Sequence, residues 1–283
     1  MVIMNKIDGK GLSAKIKDEL KGRIESYVKK PILAVITIGN DPASEVYVNN
    51  KRKAAEYVCM SFLHIVFDDK TKEEKIIEKI KELNNDKTIN GIIVQLPLPK
   101  GYNEDKIINT IDYTKDVDGL TEISMSKLLI GKEAFVPCTT KGIMEIFDYY
   151  KIDLEGKNVV IIGRSNLVGK PTFLECLKRN ATVTLCHSKT KDLGKHTKEA
   201  DILIVACGKK HIIDKTMIKN DAVIIDVGIN RIEGKIYGDV NPNVEEKASY
   251  VTPVPGGVGP MTVVCLLKNT FEAYKLHNGI KDE

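Results

Sequence analysis

The chain has 283 residues, 42% hydrophobic and 29% charged, with 21 glycines and 10 prolines, and at about 100–200 residues per domain this reads as two globular domains, excluding a disordered, fibrous or peptide-sized protein. Basic residues (43) outnumber acidic ones (39) by only four, and lysine alternates with glutamate along residues 72–81, so no nucleic-acid partner is expected. No run approaches the roughly 20 apolar residues of a membrane helix; the nearest, residues 251–267, is broken by Pro253, Pro255 and Pro260.

At the N-terminus, Lys6 and Asp8 stand where a signal peptide would continue its apolar stretch. Cys59, Cys138, Cys176, Cys186, Cys207 and Cys265 are scattered singly, with no CxxC pair and no clustered histidines. The expectation is a cytoplasmic protein with reduced core thiols and no metal site.

Taken in order, the patterns predict a helix over residues 11–29, a β-branched strand over 32–38, a helix over 43–58, a strand over 62–67, a charged amphipathic helix over 72–83 and a short apolar strand over 91–94. Together these make one βαβαβ unit. Residues 97–137, with Pro97, Pro99, Gly101, Gly119 and Gly131, are expected to be irregular and to lead to a helix over 139–150. Past a linker at 154–158, a second alternating unit runs through a strand at 158–162, a helix at 168–178 and strands at 182–185, 202–206 and 222–226. The loop 252–260 is Pro- and Gly-rich yet apolar, which suits a ligand wall. The last helix, 261–277, has no strand partner and is expected to cross back to the first domain. The predicted class is therefore α/β, with two parallel-sheet domains.

In the second unit, NVVIIGRSNLVGKP joins an apolar strand to a helix through a tight glycine turn, with Gly163 and Gly169 spaced GxSxxxG rather than GxGxxG. Such a turn brings backbone N–H groups and a helix N-terminus toward a phosphate, although an ordinary strand-to-helix turn has the same outline. The next strand ends in His187, Ser188 and Lys189 with no carboxylate. A carboxylate would repel a 2′-phosphate, whereas a hydroxyl with nearby cations accepts it. With Arg164 at the same mouth, the pattern favours NADP over NAD. A P-loop reading fails on spacing, on Pro171 in the magnesium-binding position, and on the order of the accompanying motifs.

In the first unit, Asp41 or Asn40 is available to cap the second helix, with Pro42 in its first turn. Ser44, Tyr47 and Lys51 share one face of that helix, either as a solvated polar stripe or, near the C-terminal end of a parallel strand, as a ligand face. Gln95 either satisfies loop backbone groups or meets Lys51 across the strand ends. KDVDG, residues 115–119, places two carboxylates in a tight loop, where one caps the turn and the other is available to a ligand.

Five segments, IGNDPAS with YV and K further along the helix, GIIVQLPLP, KDVDG, GRSNLVGKP with TVTLCHSKT, and PGGVGPMT, together resemble the bifunctional methylenetetrahydrofolate dehydrogenase/methenyltetrahydrofolate cyclohydrolase family, in the family's order and over nearly the whole chain. The resemblance implies NADP-dependent oxidation of 5,10-methylenetetrahydrofolate and hydrolysis of the methenyl product to 10-formyltetrahydrofolate. It also implies a homodimer formed through the dinucleotide domain and an active site in the cleft between domains. The folate-binding catalytic domain would be residues 1–145, completed by the terminal helix at 262–283, and the Rossmann-like NADP-binding domain residues 146–261. Lys51 would be the acid/base group of the hydrolysis, Gln95 its modulator and Tyr47 the platform under the folate rings. Ser44 would assist that network, Asp118 would bind the pterin, and Gly256, Gly257 and Val258 would line the folate. Gly163, Arg164, Ser165, Gly169 and Ser188 would bind the cofactor, Arg164 and Ser188 through its 2′-phosphate.

The chain departs from the family pattern at three places. Ser124 and Ser126 replace an Asn-x-Gly turn near the pterin position, Thr140 replaces a helix-starting proline, and Cys59 stands where a helix-ending glycine is common, at the cost of strain if φ there is positive. Two other readings are a dehydrogenase with weak cyclohydrolase activity and a catalytically silent NADP- or folate-binding regulator. Retention of Lys51 argues against silence, because binding alone requires no proton-transfer group.

Overall fold

The structure is a computed structural model that describes residues 5–281. In chain order the first elements are β1 (Asn5–Lys6), α1 (Gly9–Glu25), β2 (Ile32–Ile38), α2 (Pro42–Tyr57), β3 (Ser61–Phe67), α3 (Glu73–Asn85), β4 (Gly91–Val94), α4 (Glu104–Ile108) and α5 (Glu122–Leu129). They are followed by α6 (Cys138–Tyr149), β5 (Asn158–Ile162), α7 (Gly169–Lys178), β6 (Thr182–Cys186), α8 (Leu193–Thr197), β7 (Ile202–Val205), β8 (Val223–Asp226), β9 (Asn230–Ile232), β10 (Lys235–Tyr237), β11 (Tyr250–Val251) and α9 (Val258–His277). The described residues form two compact units, one of 14–138 with 263–281, the other of 5–13 with 139–262. Among the described residues no helix is long and apolar enough to cross a membrane.

The first of these units is built on a parallel sheet of order β3-β2-β4. Its central strand, ILAVITI, is apolar at nearly every position and buried on both faces, as a strand covered on two sides must be. Edge strand β3, SFLHIVF, is correspondingly half exposed. α3 packs through Ile76, Ile80 and Leu83, one stripe of its helical period, into a core shared with Ala34, Ile36 and Ile92. Asp41 caps α2 by accepting from Ser44 N, with Pro42 in the first turn. Residues 97–137 are more ordered than their composition predicts. Asn103 and Thr121 cap α4 and α5, and burial of Ile107, Ile108 and Leu128 anchors these two short helices, which lie between the prolines and glycines rather than across them.

The other unit holds a parallel sheet of order β1-β11-β8-β7-β5-β6 and an antiparallel hairpin, β9–β10. β5 pairs with β6 on one side and β7 on the other, which makes the C-terminal end of β5 the topological switch point where α/β sheets bind ligands. Residues 5–13 lie with this sheet, a correction to the boundary expected from the sequence. β1 adds parallel to β11, with Asn5 opposite Tyr250, and the register continues through Ile7 N donating to Val251 O at 2.9 Å. α9 begins at Val258, earlier than expected, because Pro260 falls in its first turn, where no intrahelical N–H is required.

Two of the departures now have a structural account. Thr140 is buried in α6 and pairs its hydroxyl with that of Thr172 at 2.9 Å. Cys59 has φ 60°, and the bonds Cys59 N to Glu56 O (3.0 Å) and Met60 N to Ala55 O (2.9 Å) form a Schellman cap on α2. An L-residue in that conformation costs roughly 1–2 kcal/mol. Cys59→Gly is therefore expected to stabilise the protein by about 1 kcal/mol, read as a higher urea midpoint at unchanged slope; a lower midpoint would contradict the strain.

Candidate active site

Lys51 lies on α2, one turn beyond Tyr47 and two beyond Ser44, all half-buried. Its Nζ donates to Gln95 Oε1 at 2.9 Å. Gln95 is fixed at both ends, because its backbone N extends the β2–β4 ladder to Ile36 O (2.8 Å) and its Nε2 donates to Leu96 O (2.7 Å). With the amide nitrogen so engaged, only Oε1 faces the lysine. An adjoining cleft of about 330 Å³ is lined by Ser44 and Gln95 together with Thr37, Asp41, His64 and Pro97.

The KDVDG loop is tied down on each side of its second carboxylate. Lys115 Nζ donates to Leu83 O (2.9 Å) and Asp86 O (2.7 Å), the last carbonyls of α3, where a cation suits the helix end. Asp116 accepts from Leu120 N (3.1 Å), Thr121 N (2.8 Å) and Ser124 Oγ (2.6 Å), so it is the capping carboxylate. Ser124 therefore sits in the first turn of α5 as a partner of Asp116, and the expected family turn is replaced by helix; Ser126 is exposed on the same helix.

Asp118 is left to face Lys51, and Cys138 completes the group, its Sγ reaching Val117 O at 3.3 Å and the Asp118 carboxyl. Burial pushes the Lys51 ammonium below the ordinary lysine value, although the charge of Asp118 and a Cys138 thiolate would pull it up. Burial likewise raises Asp118, with Lys51 opposing and Asp116 adding to the rise. The Cys138 thiol is pushed well up by burial and by Asp118, which keeps it neutral. The consequence is a lysine that gives up a proton more readily than a surface lysine, beside an anion that limits how readily.

In the other unit the predicted glycines stand where nothing else fits. A Cβ at Gly163 would lie 2.1 Å from Ala206 O, and one at Gly169 2.0 Å from Gly163 O, so α7 starts hard against the ends of β5 and β7. Ser165 Oγ accepts from Val168 N (3.2 Å), and Gly163 N donates to Cys186 O (2.9 Å), which pins the turn beside the end of β6. Arg164, Ser188 and Lys189 are exposed there. This closely packed turn at the switch point, with hydroxyl and cations at the end of β6, fits a dinucleotide carrying a 2′-phosphate.

Gly256, Gly257 and Val258 belong to this same unit. Gly256 O accepts from Lys10 N (2.9 Å), Gly257 is packed against Gly9, and Val258 opens α9 rather than lying in the loop. Among the described residues no group of three or more side chains could hold a metal ion.

The sequence reading singled out Lys51, Gln95 and Asp118 and missed Cys138, which had no local motif to mark it. If burial and Asp118 act in opposite directions on Lys51, Asp118→Asn should lower the lysine's pKa further and Gln95→Glu should raise it. Nζ NMR titration reads both; shifts of the same sign would contradict the opposition.

Comparison with known proteins bears on both units. The family model for the tetrahydrofolate dehydrogenase/cyclohydrolase catalytic domain matches residues 7–118, and that for the NAD(P)-binding domain of the same family matches residues 137–278. The bifunctional protein FolD of Agathobacter rectalis is 53% identical over 276 residues, covering 96% of this chain and 99% of that one. The crystal structure of the bifunctional FolD methylenetetrahydrofolate dehydrogenase/cyclohydrolase of Campylobacter jejuni superposes with a TM-score of 0.95 at 46% identity, covering 97% and 99% of the two chains. The Trypanosoma brucei enzyme, solved with NADP cofactor and inhibitor, superposes with a TM-score of 0.93 at 31% identity over the whole of both chains. The chain belongs to the tetrahydrofolate dehydrogenase/cyclohydrolase family.

Proposed function

We propose that the protein oxidises 5,10-methylenetetrahydrofolate to the methenyl compound with NADP and hydrolyses that product to 10-formyltetrahydrofolate. The observation that carries the hydrolytic half is the Lys51 Nζ to Gln95 Oε1 hydrogen bond at 2.9 Å, beside Asp118, on a lysine whose ammonium burial disfavours.

When bound, NADP supplies the hydride acceptor. Gly163 and Gly169 admit its phosphates to the start of α7, Ser165 orders that turn, and Arg164 and Ser188 bind the 2′-phosphate. Tyr47 packs on the folate rings, Ser44 supports the same network, Asp118 accepts from the amino and ring N–H groups of the pterin, and Gly256, Gly257 and Val258 are folate contacts. For the hydride step these residues position the reactants and move no proton, since the folate nitrogen's own lone pair drives hydride departure. In hydrolysis, neutral Lys51 Nζ takes a proton from water as the oxygen bonds the methenyl carbon. It returns that proton to the departing ring nitrogen as the C–N bond opens, while the new hydroxyl loses its own proton to solvent. Gln95 Oε1 holds one N–H of the amine in place, which directs the lone pair elsewhere.

We also propose that the protein is cytoplasmic and homodimeric. None of the six cysteines is in a disulfide, consistent with a reducing compartment. Exposed Ile229 and Ile232, beside and within the β9–β10 hairpin, supply apolar surface on the dinucleotide unit for a second copy.

Incubation with methylenetetrahydrofolate and NADP, followed by methenyl absorbance, is expected to show a transient. A persistent signal would mark a dehydrogenase alone, and no signal would mark a binder. Lys51→Met should slow methenyl hydrolysis by about 100-fold or more while the protein stays folded and continues to transfer hydride; unchanged hydrolysis would sink the role of Lys51. Ser188→Asp should weaken NADP by about tenfold or more by placing a carboxylate against the 2′-phosphate, measured by titration against NAD; equal NADP affinity would remove Ser188 from the site.

A further inference from the structure

Asn269 is fully buried on α9, a helix that also buries Val264, Cys265, Leu266, Leu267 and Phe271. A carboxamide in such surroundings is costly unless its hydrogen bonds are made. Its Nδ2 donates to Val117 O at 2.8 Å and to Val136 O at 3.0 Å, carbonyls of two segments that are distant in sequence. Val117 O belongs to the peptide bond that begins Asp118, so anchoring it fixes the plane from which the Asp118 side chain projects. Val136 O lies two residues before Cys138, whose Sγ is 3.8 Å from the same Nδ2 and itself donates to Val117 O at 3.3 Å.

The two segments already meet without clearance, since Gly119 has φ 70° and a Cβ there would lie 2.4 Å from Phe135 O. Asn269 is the side chain that joins both to a third element. Its neighbour Thr270, equally buried, donates instead to Leu266 O of its own helix at 2.8 Å, which ties nothing to the loop. Core packing at position 269 would be served by an apolar residue; a double donor aimed at these two carbonyls serves the loop geometry.

We infer that Asn269 is a positioning residue for the hydrolytic step, holding Asp118 and Cys138 in register against Lys51. The inference rests on the role of Lys51 proposed above. Asp118 and Cys138 are the titratable groups that act on Lys51, with Asp116 and Cys265 acting on those two in turn. If the loop slackens and Asp118 recedes, Lys51 loses the charge that favours its protonated form. Its pKa falls, and the ascending limb of the hydrolysis rate against pH moves to lower pH as the productive geometry is lost.

The test uses the full chain with Asn269→Ala, the milder Asn269→Ser, and Thr270→Val as a buried control on the same helix. In methenyl hydrolysis Asn269→Ala is expected to lower kcat by about tenfold or more and to move the ascending limb down by about half a pH unit or more. Asn269→Ser, which keeps one donor, should fall between it and the unsubstituted protein. Thr270→Val should leave kcat and the limb in place even where Tm falls. Folded Asn269 variants with unchanged kcat and limb overturn the inference whatever their Tm, as does the same displacement in Thr270→Val, which would reduce the effect to general loosening of α9. If Asn269→Ala is not recovered folded, Asn269→Ser decides by the same criteria. Failure of the underlying reading is distinct, being hydrolysis that is absent from the unsubstituted protein or retained in Lys51→Met.

Discussion

A lysine side chain withdrawn from water favours its neutral form, and the acid/base role proposed for Lys51 depends on how far that tendency is allowed to run. Burial alone would leave a permanently neutral amine, a weak base that takes up a proton poorly although it would return one readily. Asp118 opposes burial, and Gln95 occupies one N–H without adding charge, so the amine is left between the two extremes. A surface lysine has neither restraint. Proton transfer in both directions at one nitrogen, as proposed for Lys51, requires this balance, and three side chains from α2, the end of β4 and the KDVDG loop would have to be held together for it.

The fold meets that requirement with rigid anchors on each partner. β4 delivers Gln95 directly from a buried parallel strand, α2 presents Lys51 about three turns beyond its Asp41 cap, and the loop bearing Asp118 is fastened by Lys115 to the end of α3 and by Asp116 to the start of α5. Asp116 and Asp118 are two residues apart and do opposite work. One is consumed by backbone and hydroxyl donors, and the other is kept for Lys51. The dinucleotide unit applies the same economy differently, using glycines that admit no Cβ to bring a helix N-terminus against the strand ends at the switch point.

How much of this was legible depends on whether the signal was local. β2, β4 and β5 begin and end where the sequence places them, because continuous β-branched runs bounded by breakers specify buried parallel strands. α4, α5 and the added strands β1 and β11 were missed, since two- to eight-residue elements owe their existence to caps, burial and pairing with distant segments. Within the site, Lys51 and Gln95 each follow a readable element, and the paired carboxylates of KDVDG announced that one of them would be free. Cys138 and Asn269 carried no such mark, because their roles come from carbonyls and side chains that only folding brings near. Cys59 shows the converse: a helix-ending position of positive φ was legible although its residue is the wrong one for it.

If burial sets the proton affinity of Lys51 and this amine limits hydrolysis, the dependence shows in the pH profile. The most direct measurement is the single-turnover rate of methenyl hydrolysis by the unsubstituted protein as a function of pH, corrected for the uncatalysed reaction. The rate is expected to rise through one ionisation below the ordinary lysine value of 10.5 and then to level as Lys51 becomes neutral. A rate without any such ionisation, or one that rises only at the value of a free lysine, would contradict it.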